Sequence, residues 1–136
     1  MSLEDEIQER LVADTESILQ NNLDRVEKLF QLHGDGTVAV SDEYRDAGPK
    51  NRMLIYFIAQ RFAVEGNIAD EDTVESEFFY ERIDREDSTI RHYLKDLRDA
   101  GLVTKEGKSH HRLVVENLPD ALDRLEDAVN SAGDDE

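Results

Sequence analysis

The sequence contains no cysteine and no tryptophan, and basic residues are scarce, with 16 against 33 acidic ones among 136 residues. The absence of cysteine excludes a cysteine-ligated zinc site, a thiol nucleophile and a disulfide framework. The longest apolar run, residues 53–59, contains Tyr56 and is far shorter than the roughly 20 residues that cross a bilayer. The first residues are acidic and carry no apolar secretory segment, which predicts a cytoplasmic protein without membrane contact.

The length and the composition predict one ordinary folded domain. With 38% hydrophobic residues the chain can bury a sizeable core, and roughly two-thirds of its unfolded surface can be removed from water. Neither a disulfide nor a structural metal is needed for stability at this size.

The net charge of -17 requires a physical cause, because so large a charge repels itself and disfavours the compact state. Acidic residues occur along almost the whole chain, and most of the basic residues are arginine. In molar salt the screening length falls to about 3 Å, so the repulsion fades. The composition is therefore typical of a halophilic cytoplasm.

Two segments are positive within this acidic chain. The first, residues 45–64, carries Arg45, Lys50, Arg52 and Arg61 against one acidic residue. The second, residues 88–112, carries six of the basic residues against three acidic ones. The position of these segments in the fold decides which polyanions or acidic partners they meet.

The N-terminal 32 residues predict helical structure. Their apolar positions recur at spacings of three, four and seven, which favours one bent helix or two shorter pieces. We expect His33-Gly34-Asp35-Gly36 to end this region. A dimerisation helix and a helix that packs on its own domain are equally compatible with the pattern, because no heptad is sustained. The apolar positions are Leu3, Ile7, Leu11, Ile18, Leu19, Leu23, Val26 and Phe30.

The rest of the chain predicts short elements separated by turn residues. Pro49 begins a helix that ends near Glu65 and is apolar on more than one face, which indicates a central, buried helix. Asp87 or Ser88 is a natural N-cap for the helix that follows the turn at residues 84–87. The predicted elements are a small strand at 37–40, helices at 49–65, 74–83 and 88–100, a hairpin at 102–115, a helix from Leu118 and an acidic tail at 132–136.

The segment from Ser88 to Val103 resembles the recognition helix and first wing strand of prokaryotic winged helix-turn-helix regulators. The resemblance lies in the run Leu97-Arg98-Asp99-Ala100-Gly101-Leu102-Val103 and in the order of elements around it, and it covers about residues 49–115. It implies a mainly α fold with a small β-hairpin, of the α+β class, extended by an N-terminal helix and a C-terminal helix. The implied parts are residues 1–48, with possible dimerisation, the winged helix domain at 49–115, and a C-terminal helix and tail at 116–136.

The same resemblance implies which residues meet DNA. In such a domain the second helix of the motif lies in the major groove and the hairpin lies near the backbone. Ile90, Leu94 and Leu97 are then core residues. The implied DNA-binding residues are Thr89, Arg91, His92 and Lys95 on the helix and Lys105, Lys108, His110 and Arg112 on the wing, where His111 also lies. The implied partner is double-stranded DNA, bound by a homodimer that forms through the terminal helices.

Three acidic features favour a different role, docking on a partner protein. The turn at residues 84–87 lacks the usual glycine and is acidic, and Asp96 and Asp99 dilute the charge of the recognition helix. The basic residues of segment 45–64 have two open interpretations of equal weight: they extend the phosphate contacts, or they pair with neighbouring carboxylates.

Catalytic motifs are missing from the sequence. His110 and His111 are adjacent, so on a strand they point to opposite faces and cannot chelate one metal together. No phosphate-binding glycine loop or Gly-x-Ser-x-Gly elbow occurs. We therefore expect no enzymatic activity, no cofactor and no metal site.

Overall fold

The computed structural model describes residues 2–10 and 14–134. Its helices are α1 (Leu3–Arg10), α2 (Thr15–Asn21), α3 (Leu23–Val26), α4 (Pro49–Glu65), α5 (Ser76–Arg82), α6 (Asp87–Asp99) and α7 (Leu118–Asp134). Its strands are β1 (Phe30–Leu32), β2 (Val38–Val40), β3 (Thr73–Glu75), β4 (Val103–Glu106) and β5 (His110–Leu113). Short 3-10 turns cover Asp42–Tyr44 and Val115–Asn117. The predicted class, mainly α with a small antiparallel sheet, is confirmed.

The strands form two separate antiparallel sheets. One is the β1–β2 hairpin, in which Gln31 faces Ala39. The other has the order β3-β5-β4, so that β5 is its central strand. In this second sheet His111 lies opposite Val74 of β3 and Lys105 of β4.

Helix α4 is the centre of the domain. Pro49 occupies its first turn, where the missing N–H costs no hydrogen bond, and Gly66 follows its last residue. Its residues Met53, Leu54, Ile55, Phe57, Ile58 and Ala59 are wholly buried. Because these six positions cover several sides of the helix, α4 is surrounded by the other elements, as the sequence predicts.

The N-terminal and C-terminal parts of the chain meet on the same core. Helix α7 buries Leu118, Ala121, Leu122 and Leu125 within the chain itself. Arg25 of α3 binds two carboxylates of this helix, with Nη2 at 2.7 Å from Asp123 Oδ1 and at 2.8 Å from Glu126 Oε1. One hydrophobic cluster runs from Leu19 to Leu125.

The prediction of continuous helical structure up to Leu32 is wrong. The N-terminal helices α1, α2 and α3 end by Val26, and Phe30–Leu32 form strand β1. Residues 33–36 are accordingly the loop of the β1–β2 hairpin rather than a helix stop, and the strand predicted at residues 37–40 is its second arm. Leu11, which contributed to the helical pattern, lies outside the described residues.

Three further boundaries differ from the predictions. The helix expected at residues 74–83 is shorter, because Thr73–Glu75 form a strand that pairs with β5. Glu86 rather than Asp87 or Ser88 is the N-cap of α6, and it makes no side-chain capping hydrogen bond. Helix α7 continues to Asp134, into the segment that the sequence predicts as a tail, whose last two residues lie outside the described part.

No helix in the described part of the chain has both the length and the apolar composition that crossing a membrane requires.

Candidate nucleic-acid interface

Helix α6 carries two opposite stripes. Ile90, Leu94 and Leu97 are buried and hold the helix on the core. The positions 88, 91, 92, 95 and 99 recur at three to four residues on the other side, and all five are exposed. Gly101 ends the helix with a φ of +76°, a left-handed conformation that side chains disfavour, and its carbonyl accepts a 2.7 Å hydrogen bond from Asn117 Nδ2. The outward stripe is thus fixed relative to the core by the buried stripe and by this contact.

The predicted DNA-binding residues of α6 do not share one environment. Arg91, His92 and Lys95 lie on the exposed stripe, whereas Thr89 is half-buried. Lys95 Nζ lies 2.9 Å from Asp99 Oδ2, and both side chains are more than 60% exposed. His92 Nε2 lies 3.6 Å from Asp96 Oδ2. Within the described residues, Arg91 has no carboxylate at ion-pair distance.

The ion pair with Asp99 does not prevent Lys95 from binding a phosphate group. Exposed ion pairs contribute only about 0.2–1 kcal/mol, because water and salt screen them. A phosphate group can therefore displace Asp99 at little cost. Asp96 is different, because Lys50 Nζ of α4 binds its Oδ2 at 2.8 Å and lowers the pKa of that carboxyl. The Lys50–Asp96 contact is half-buried and joins the start of α4 to the last turn of α6.

The β4–β5 hairpin separates the predicted wing residues. Side chains alternate along a strand, so His110 and Arg112 lie on one face and His111 on the other. Lys105 is paired with His111 and shares its face, which is the face that α6 contacts through Arg98. Lys108 is exposed in the turn beside Gly107, whose φ is +69°. Lys105 and Lys108 therefore lie on the α6 side of the hairpin and at its tip.

His110 and Arg112 face a separate set of carboxylates. His110 Nε2 lies 3.1 Å from Glu75 Oε1, and Arg112 Nη2 lies 2.6 Å from Glu106 Oε1. These contacts are on the sheet face that points away from α6. Of the eight predicted residues, Arg91, His92 and Lys95 therefore lie on the exposed stripe of α6, and Lys105 and Lys108 lie on the α6 side and at the tip of the hairpin.

The expectation that His111 lies on the DNA side of the wing is wrong, because its side chain is only 2% exposed. Its ring lies 6.4 Å from the ring of Phe57 and accepts a hydrogen bond from Arg98 at 2.8 Å. Sequence reasoning missed Arg98 as the residue that joins α6 to the hairpin. The alternation of β5, which places His111 on the same face as the apolar Leu113, was the available signal.

Ion pairing accounts for most of the basic segment 45–64. Arg45 contacts Asp42 at 3.1 Å, Lys50 contacts Asp96 at 2.8 Å, and Arg61 contacts Glu65 at 2.9 Å. The sequence left open whether these basic residues extend the phosphate contacts or pair with neighbouring carboxylates. In the structure, these three residues pair with carboxylates. Arg52 has no such partner within the described residues.

No protein-family model, no curated protein and no solved structure matches this chain. Functional inference therefore rests on the chemistry of the surface itself. That surface combines an outward helix stripe with the tip of a hairpin, and its basic side chains are exposed.

Proposed function

We propose that this chain is a winged-helix protein that binds double-stranded DNA and acts as a transcriptional regulator. Helix α6 enters the major groove, and the β4–β5 hairpin contacts the backbone beside it. Two features support the proposal: the order α4, α5, α6 and hairpin, and the exposed cations Arg91 and Lys95 on α6 and Lys105 and Lys108 on the adjoining hairpin. The grouping of these cations in a chain of net charge -17 is the observation that carries it.

Phosphate binding needs positive charge at the contact, whatever the total charge of the protein. Each cation that meets a phosphate releases condensed counterions, so affinity falls with salt by a slope of about 0.9 per contact. High salt also screens the repulsion between the acidic remainder of the surface and DNA over distances beyond a few ångströms. High salt therefore removes the long-range repulsion and also weakens each direct contact, so binding depends on how many cations α6 and the hairpin tip bring to the phosphates.

The two terminal helices, α1 and α7, differ in the apolar surface that is free to form a dimer contact. Helix α7 buries its apolar face within the chain, whereas Leu3 and Ile7 of α1 are exposed. The proposed homodimer therefore forms through α1. A two-fold arrangement of this kind places two copies of α6 in successive major grooves, about 34 Å apart.

The test compares two double variants of equal charge. In Arg91→Ala with Lys95→Ala, both cations leave the α6 stripe; in Lys28→Ala with Arg124→Ala, one exposed lysine and one exposed arginine are lost elsewhere. Fluorescence anisotropy with mixed-sequence duplex DNA is measured at one fixed KCl concentration, and a KCl series then gives the salt slope. We expect the first variant to bind at least tenfold more weakly, with a salt slope smaller by about 2, and the second to bind nearly as the parent does. Equal losses in both variants contradict the assignment of this face.

A second candidate function is a winged-helix module that docks on a partner protein. The exposed acidic turn at residues 84–87, directly before α6, favours it, because it places negative charge beside the proposed DNA surface. Purification from a high-salt lysate distinguishes the two. One stoichiometric protein without enriched DNA supports docking, and enriched DNA supports the regulator.

A further inference from the structure

A continuous groove runs along the free edge of β2. Arg52, Tyr56 and Gln60 recur every four residues on one stripe of α4 and form its floor. Two clefts of about 400 Å³ and 520 Å³ make up the groove, and they share Val38 and Tyr56. We call this feature the β2 groove.

The backbone of β2 offers unused hydrogen-bonding groups to the groove. Ser41 N donates to Leu29 O at 2.8 Å and His33 N donates to Thr37 O at 2.9 Å. In an antiparallel ladder bonded and non-bonded pairs alternate, so Ala39 bonds to β1 while the N–H and C=O groups of Val38 and Val40 point away from it. Within the described residues no other strand pairs with β2. Its edge is therefore free to accept one more strand.

The end of the groove formed by the smaller cleft is basic. Arg45 and Arg52 line the smaller cleft, and none of the described residues around it is a carboxylate, although the chain has about twice as many acidic as basic residues. The ion pair of Arg45 with Asp42 is weak, because the side chains are 67% and 89% exposed. Lys50 binds Asp96 of α6, and Arg52 lies two residues further on, about 200° around the helix. The groove thus lies on the side of α4 away from α6.

We propose that the β2 groove binds an extended peptide segment of a partner protein, which adds a strand to β2 and places an acidic side chain against Arg45 and Arg52. Main-chain hydrogen bonds to Val38 and Val40 supply the pairing, and the arginines supply the charge preference. This site goes beyond the DNA-binding function and does not depend on it.

The dimensions and the charges define the kind of peptide. From Arg52 to Gln60 the floor extends about 12 Å, which an extended chain covers with about four residues. The ring of Tyr56 packs against Phe78 at 5.1 Å and presents an apolar surface in the middle. At the far end Asp35, Glu71 and Glu75 outnumber Arg82, so a basic side chain fits there. A second copy of β2 is a poor occupant, because it would bring four arginines together.

The test uses the full-length ¹⁵N-labelled protein and the probe peptide acetyl-Glu-Val-Thr-Val-Lys-amide, followed by NMR amide shifts. Short peptides of this kind bind with millimolar affinity. We expect saturable shifts at Val38 and Val40, and at least fivefold weaker binding in Arg45→Ala with Arg52→Ala. The matched control Arg61→Ala removes a cation of the same helix that does not line the groove, and it should bind as the parent does.

Val40→Pro tests the backbone contribution separately. It removes an N–H that makes no bond to β1, so the hairpin keeps its ladder and only the added strand loses a donor. We expect binding to be lost while thermal unfolding still shows one cooperative transition. If Val40→Pro does not fold, the arginine variants alone decide the outcome.

Three results would overturn the proposal. The first is no shift at Val38 and Val40 with the probe at about 5 mM. The second is the same shifts with duplex DNA, which would assign Arg45 and Arg52 to the phosphate contacts. The third is a dimer in sedimentation velocity that Val40→Pro converts to a monomer, which would assign the edge to a second copy.

Discussion

His111 Nε2 accepts a hydrogen bond from Nη1 of Arg98 across 2.8 Å, which joins the last turn of α6 to the central strand of the sheet. Arginine only donates, so the ring is neutral and its proton is on Nδ1. Within the described residues this buried Nδ1 has no hydrogen-bond partner. Burial, together with the charges of Arg98, Lys105 and His110, lowers the pKa of His111 to about 4.

We therefore predict that acid destabilises the protein through His111. Between about pH 6.5 and pH 4 the unfolded chain binds a proton at this histidine that the folded protein does not. Stability is fully present above pH 6.5 and falls towards pH 4, by up to about 3 kcal/mol from this residue. In His111→Gln, which keeps an acceptor for Arg98 but does not titrate, this part of the loss should vanish. Urea unfolding at several pH values and constant salt measures it.

His33→Gln is the control, because His33 is exposed in the β1–β2 loop. Its unfolding free energy should follow the pH dependence of the parent. If His111→Gln loses as much stability as the parent between pH 6.5 and pH 4, the buried histidine is not the source.

Leu122→Ala should destabilise the monomer directly. The side chain is wholly buried under α7, so its removal leaves a cavity and costs about 2–5 kcal/mol. Because these contacts lie within one chain, the loss should not depend on protein concentration. Chemical unfolding of the parent and the variant at two concentrations about tenfold apart checks both statements, and a difference between their two midpoints that changes with concentration would show that α7 packs between chains.

Arg25→Lys should weaken the link between α3 and α7. Arg25 Nε and Nη2 bind the two oxygens of Glu126 at 2.9 and 2.8 Å, and Nη2 also reaches Asp123. A lysine keeps the charge but cannot make the paired contact, so we expect a loss of about 1 kcal/mol, limited by partial exposure. The guanidinium also lowers the pKa of Glu126. Lys28→Arg, a reverse exchange at an exposed neighbouring site, should leave the unfolding free energy unchanged.

The thermal midpoint should rise with salt. A net charge of -17 on a small domain repels itself, and this repulsion weakens as the screening length shortens from about 10 Å at 0.1 M to about 3 Å at 1 M. We expect a higher Tm in KCl at about 2 M than at about 0.1 M. Differential scanning calorimetry with KCl, and with tetramethylammonium chloride as a second monovalent salt, separates screening from specific ion binding. A midpoint that falls with both salts would show that charge repulsion does not control the stability of the domain.

The elements that the sequence predicts well have strong local signals. Helix α4 starts with Pro49 and ends at Gly66, and α6 repeats Ile90, Leu94 and Leu97 before Gly101. These features act within a few residues, so they can be read from the chain directly.

The elements that the sequence misses depend on distant partners. Phe30 continues an apolar pattern that fits a helix, and Phe30–Leu32 become a strand because β2 pairs with them. Strand β3 has three residues, and its partner strand β5 lies more than 30 positions away in the chain. Propensity cannot reveal such pairing.

The candidate site was predictable in its helix and less so in its hairpin. Arg91, His92 and Lys95 follow from the helical period opposite the core stripe. The separation of Lys105 from Arg112 follows from strand alternation only once the ends of β4 and β5 are known. The carboxylates that pair with Arg61 and Lys95 are near in sequence, but Lys50 finds Asp96 through tertiary packing.

The contact of Arg25 with α7 has a practical consequence for anyone who would cut the chain at residues 48 and 115 to isolate the part proposed to bind DNA. Such a fragment loses Leu29, Leu118, Leu122 and Leu125 from the hydrophobic core that they share with α4, so it exposes apolar surface to water. The fragment should aggregate or unfold at a lower temperature than the parent, because residues on both sides of it in the sequence belong to the same hydrophobic core.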